Sequence, residues 1–166
     1  VLNALIVISI VLAGAQWALA QEAPLAPFFR KVLFIGFFAF LINNWQFIAG
    51  VINEYVNTSK NAVAAGFDGI ELHGANGYLI EQFLLPGSNQ RTDNYGGSLE
   101  NRNRFLIELA AACAKAIGAD KVGVRLSPFN TYNDMAVFDE IPQQYEALAK
   151  ALGAQKLAYL HIVAYG

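Results

Sequence analysis

Three short strand-like segments each carry a polar group near the C-terminal end, and this repetition constrains the fold of the 166-residue chain more than any other feature. The segments are FDGIELHG (67–74), KVGVRLSP (121–128) and LAYLHIV (157–163). Side chains alternate across a strand, so residues two apart share a face. In the first segment Phe67, Gly69, Glu71 and His73 oppose Ile70 and Leu72. In the second, Gly123, Arg125 and Ser127 oppose Val122, Val124 and Leu126; in the third, Tyr159, His161 and Val163 oppose Ala158, Leu160 and Ile162. One face of each is aliphatic and suits packing under helices, while the other holds glycine or polar groups. An open doubly wound sheet meets helices on both faces and calls for near-continuous apolar strands. A closed barrel accounts better for the polar face, because its inward face ends at the C-terminal rim where catalytic residues collect. The expected fold is therefore α/β, a partial (β/α)8 TIM barrel of about three parallel strands with intervening helices.

The segments between the strands read as helices. VINEYVNTSKNAVAAG (51–66) has apolar residues near a helical period and Gly66 as a stop. Ser98 is a natural N-cap for LENRNRFLIELAAACAKAIG, with Glu100 in the first turn and Gly118 at the end. IPQQYEALAKALG (141–153) places Pro142 in a first turn. Strand–helix–strand–helix–strand with short connections argues for parallel pairing.

Charge separates this part from what precedes it. The chain is 55% hydrophobic and 14% charged, against about 25% charged in an ordinary soluble domain. Residues 1–50 carry only Glu22, Arg30 and Lys31. The organisation expected is thus a hydrophobic segment over 1–50 and a partial barrel over 51–166. Residues 4–20 and 32–52 are apolar runs of about membrane-spanning length. The ending Ala18-Leu19-Ala20 is also like a signal-peptide cleavage site, although no positive region precedes it. Asn43, Asn44 and Gln46 would be costly in a bilayer unless paired. Three readings stay open: a membrane hairpin or signal-anchor, two buried helices, or foreign sequence joined to a domain fragment. A net charge of −2 without a basic stripe gives no sign of nucleic-acid binding. Cys113, the single cysteine, permits no internal disulfide and no cysteine-only metal site, and reads as a small buried hydrophobe.

The first strand ends in HGANGY, which delivers the imidazole of His73, the amide of Asn76 and the phenol of Tyr78 to one edge. AAGFDGIELHGANGYLIEQFLLPGSNQRTDNYGGSLENRNRF, with GADKVGVRLSPF and LAYLHIV, resembles the old yellow enzyme family of FMN-dependent ene reductases. The likeness runs from about residue 51 to 163, the middle of that family's barrel. It implies that His73 and Asn76 bind the carbonyl or nitro oxygen of an enone-type substrate, polarising the alkene as an oxyanion hole does. It implies that Tyr78 donates a proton to the α-carbon, since a phenol keeps its proton at neutral pH. Arg125 would bind the cofactor FMN beside its pyrimidine edge, with NAD(P)H as reductant.

Other polar residues read as structural. Glu71 calls for an ion pair or hydrogen bond, and His161 for barrel-interior packing. The loop GSNQRTDNYGGSLENR reads as a self-bonded rim, and Asp134 and Met135 as the border of the site's mouth. A whole barrel needs about 250 residues, whereas the likeness covers 113, from 51 to 163. The expectation is thus a fragment with the substrate side and one flavin contact, binding FMN weakly or not at all as a monomer. Open barrel edges would favour self-association. The alternatives are a non-catalytic remnant of such an enzyme, membrane-anchored through the N-terminal runs, or a relative of the dienoyl-CoA reductases. The resemblance implies a cytoplasmic protein; the apolar runs leave membrane association as the alternative.

Overall fold

In a computed structural model, residues 47–163 are described, and residues 52–163 pack as one unit. The apolar runs expected as candidate membrane segments, 4–20 and most of 32–52 (residues 32–46), lie outside the described residues. Among the described residues no helix is long and apolar enough to cross a membrane.

Residues 47–64 are helical (α1). Then follow β1 (Ile70–Gly74), α2 (Leu79–Leu84), α3 (Leu99–Ile117), β2 (Val122–Leu126), α4 (Ile141–Ala154) and β3 (Tyr159–Ile162). The strands form one parallel sheet in the order β1-β2-β3, as the helical crossovers require. Each strand is shorter than its apolar pattern suggests. Residues 67–69 belong to the connection from α1, and Phe67 is exposed.

The aliphatic faces of β1 and β2 lie under the helices, whereas that of the edge strand β3 is largely open, with Ile162 53% exposed. Leu72, Val122, Val124 and Leu126 are buried. From α3 come Phe105, Leu106, Leu109, Ala110 and Cys113, and from α4 Ile141, Leu148 and Leu152. Each such aliphatic or aromatic side chain contributes about 1.5–3 kcal/mol by leaving water. Phe83 of α2 stacks on Phe105, ring centroids 4.2 Å apart. Ser98 caps α3 by accepting from the Asn101 N–H at 3.3 Å, and Pro142 stands in the first turn of α4. Cys113 is buried; the Ser59 hydroxyl donates to its sulfur at 3.5 Å, and burial pushes its thiol pKa up.

The six-residue helix α2 occupies a stretch that the sequence presents as a turn and polar loop. Its Ile80, Phe83 and Leu84 are buried, spaced at three and four residues, but one and a half turns give too little period to be read. The loop after it bonds largely to itself. The Asn89 amide donates to the carbonyls of Phe83 and Tyr95, both at 2.7 Å. Arg91 pairs with Asp93 and holds its carboxyl below the usual range, and Arg102 Nη1 donates to the Gly97 carbonyl at 2.6 Å.

Candidate active site

Register builds the site from the sheet outward. Glu71 pairs with Gly123, and Gly123 with Tyr159; one step nearer the C-terminal ends, His73 pairs with Arg125, and Arg125 with His161. The face that holds glycine and polar residues in the sequence is thus one continuous surface across three strands. Gly123 is small for a reason: a Cβ there would run into the ring of Tyr159, which lies across it. Glu71 finds its partner in the neighbouring row, as Nδ1 of His161 stands 3.1 Å from its carboxylate. The nearby Glu71 carboxylate, after desolvation, also helps push the Tyr159 phenol up.

His73 and Tyr78 come together at the rim. Their ring centroids are 5.3 Å apart and tilted by 49°. Tyr78 is half exposed (50%), so its hydroxyl is open to a small molecule. Between them the chain turns sharply: Asn76 has φ 61° and Gly77 φ 75°, both left-handed. Asparagine tolerates that region better than most residues, and glycine freely. Gly77 is required for space as well, since a Cβ there would lie 2.8 Å from Cβ of Asn133 and 3.0 Å from Cγ of Met135.

The segment after β2 clamps this turn. The Asn76 N–H donates to Ser127 Oγ at 2.9 Å. Asn133 Nδ2 donates to the Asn76 carbonyl at 2.8 Å, and Asn130 Nδ2 to Asn76 Oδ1 at 2.9 Å. The last bond fixes which end of the Asn76 amide is acceptor and which is donor. Beneath the turn lies Glu81, 1% exposed. It accepts from the Gly77 N–H at 2.5 Å, the Ser127 hydroxyl at 2.8 Å and the Tyr145 hydroxyl at 3.4 Å.

Arg125 is part-buried on the polar face, and its Nε is buried without a hydrogen-bond partner among the described residues. A buried N–H without an acceptor is expensive. Such a guanidinium suits a ligand edge rich in carbonyl oxygen or negative charge, which is the chemistry of a flavin's pyrimidine ring.

The sequence singles out His73, Asn76, Tyr78 and Arg125, and the structure brings the first three to one rim with Arg125 beside His73 in register. The sequence passes over Glu81, Asn130 and Asn133. Nothing in the sequence marks them, because the Asn130 and Asn133 bonds span 54 and 57 residues.

Comparison with known proteins then decides the family. Residues 44–165 match the NADH:flavin oxidoreductase / NADH oxidase family. The chain belongs to that family. A probable flavin mononucleotide-dependent alkene reductase of Leishmania infantum is 51% identical over 117 residues, 70% of this chain and 32% of that protein. A putative 12-oxophytodienoate reductase of Oryza sativa subsp. japonica is 51% identical over 114 residues, 68% of this chain and 30% of its own length. A probable inactive dehydrogenase of Claviceps purpurea is 48% identical over 112 residues, 67% of this chain and 30% of that protein. The chain therefore spans about a third of the length of these relatives.

Proposed function

We propose that this chain carries the substrate side of an FMN-dependent, NAD(P)H-driven ene-reductase site, built on part of a (β/α)8 barrel. The observation that carries the reading is the meeting of the His73 and Tyr78 rings at the sheet's C-terminal rim, with Arg125 in register beside them. Parallel strands with polar residues on one continuous face support the barrel. FMN bound against Arg125 would supply the hydride for the β-carbon of an α,β-unsaturated carbonyl or nitro compound.

The chain's own residues do the rest. His73 and the Asn76 amide donate to the substrate's oxygen, so that charge developing there meets fixed donors rather than reorganising water. Tyr78 then gives its proton to the α-carbon. Two donors on one oxygen also fix the alkene against the phenol, which converts orientation into rate. Arg125 supplies a fixed cation and an unmet N–H for the pyrimidine edge of FMN.

A non-catalytic relative is the second reading, favoured by the Claviceps purpurea protein named as inactive. Flavin binding separates the two. Titrating the purified chain with FMN should shift the 350–500 nm absorption, and Arg125→Ala should weaken binding about tenfold, the loss of one charged hydrogen bond. A spectrum that remains that of free FMN throughout would overturn the enzymatic reading for this chain.

A further inference from the structure

Two successive backbone N–H groups of the rim turn, those of Asn76 and Gly77, end on a single buried carboxylate. Gly77 reaches Glu81 Oε2 directly at 2.5 Å, and Asn76 reaches Oε1 through Ser127, by bonds of 2.9 and 2.8 Å. Glu81 is 1% exposed, and no cation stands within salt-bridge distance of it among the described residues. A carboxylate so placed is expensive unless its oxygens are occupied, and here donors from three directions occupy them. These come from the turn itself, from Ser127 beyond the end of β2, and from Tyr145 on α4.

We propose that Glu81 is the positioning residue of the rim: its carboxylate holds the Asn76–Gly77 turn, and so sets the reach of Asn76 and Tyr78 to the substrate's oxygen and α-carbon. What the turn reaches for rests on the ene-reductase reading above; how it is held does not. Glutamine has one acceptor where glutamate has two, so a Glu81→Gln side chain must leave either the Gly77 N–H or the Ser127 hydroxyl unmet. A left-handed pair of residues without its N–H anchors relaxes toward ordinary backbone, carrying Tyr78 with it. The titratable groups that face Glu81 are His73 from the end of β1 and Tyr145 from α4. Burial raises the Glu81 carboxyl, and the bonds from Gly77, Ser127 and Tyr145, with His73 nearby, pull it part of the way back.

The test uses the full 15N-labelled chain without flavin. In the native protein the Gly77 and Asn76 amides should exchange slowly, and the Gly77 amide shift should follow one carboxylate titration above the ordinary glutamate range. Glu81→Gln should speed exchange of at least one of the two amides about tenfold or more and abolish that titration, leaving the core amides of Val124 and Leu148 protected. If Glu81→Gln does not fold, Ser127→Ala decides: Asn76 exchange rises while Gly77 stays protected. In the presence of FMN, NADPH and 2-cyclohexenone, Glu81→Gln should lower enone reduction about tenfold. Unchanged exchange at both amides, or an unchanged Gly77 titration in Glu81→Gln, overturns the proposal. Failure to bind FMN would overturn the ene-reductase reading, while the amide measurements still decide whether Glu81 holds the turn.

Discussion

At the scale of single residues, Asn76 shows how much surrounding structure one amide can need. Its N–H, its carbonyl and its side-chain oxygen are each met by a residue of the segment after β2. A lone asparagine amide has two faces that differ only by a flip, and Asn130 selects one by donating to Oδ1. Asn130→Asp should reverse that choice, because a carboxylate accepts only, so the Asn76 amide turns over to donate to it. An oxygen would then face the substrate's oxygen. The KM for an enone in the FMN-supported assay should rise about tenfold to a hundredfold, the range of one mispaired polar contact. Asn130→Ala should fall between the two. A KM for Asn130→Asp equal to that of the native chain would show that the clamp does not orient the amide. The meeting of His73, Asn76 and Tyr78 at one edge is legible in the sequence because HGANGY sets three chemistries within six residues at a strand end. The clamp is not, since its partners are remote in the chain and asparagines in a loop carry no period.

At the scale of elements, the long helices are legible in the sequence and the short one is not. α3 spans 19 residues with an N-cap serine and a glycine stop, so pattern and termini agree. α2 has six residues, and its buried Glu81 looks in sequence like one more solvent-facing charge. The loop before α3 is tied down by Tyr95, whose hydroxyl donates to Glu108 on α3 at 2.7 Å. Desolvation, then the Glu108 bond, pushes the Tyr95 phenol up to about 12 from 10.0. Its folded value lies above its unfolded one, so the stability it contributes is fully present below pH 10.0 and is lost as pH rises toward about 12. Melting temperatures recorded across that window should fall less steeply for Tyr95→Phe than for the native chain. Parallel slopes would mean that the hydroxyl does not couple the loop to α3.

At the scale of the whole molecule, residues 52–163 supply three parallel strands, with an aliphatic face covered over β1 and β2 and a polar face opposite. Face alternation made that much legible, because glycine and polar residues fall at matching positions in all three strands. The row Glu71–Gly123–Tyr159 was not legible as a unit: register is set by hydrogen bonding between strands, and only the structure shows that Tyr159 lies across Gly123. The chain spans about a third of the length of its relatives, so the central proposal concerns the rim: that His73 and Asn76 grip an oxygen while Tyr78 gives a proton. Comparing the two half-reactions tests it most directly. With FMN and NADPH supplied, Tyr78→Phe should slow reduction of 2-cyclohexenone by about 10²–10⁴-fold, the usual worth of a general acid, while flavin reduction by NADPH keeps the native rate. Enone reduction by Tyr78→Phe at the native rate would contradict the account.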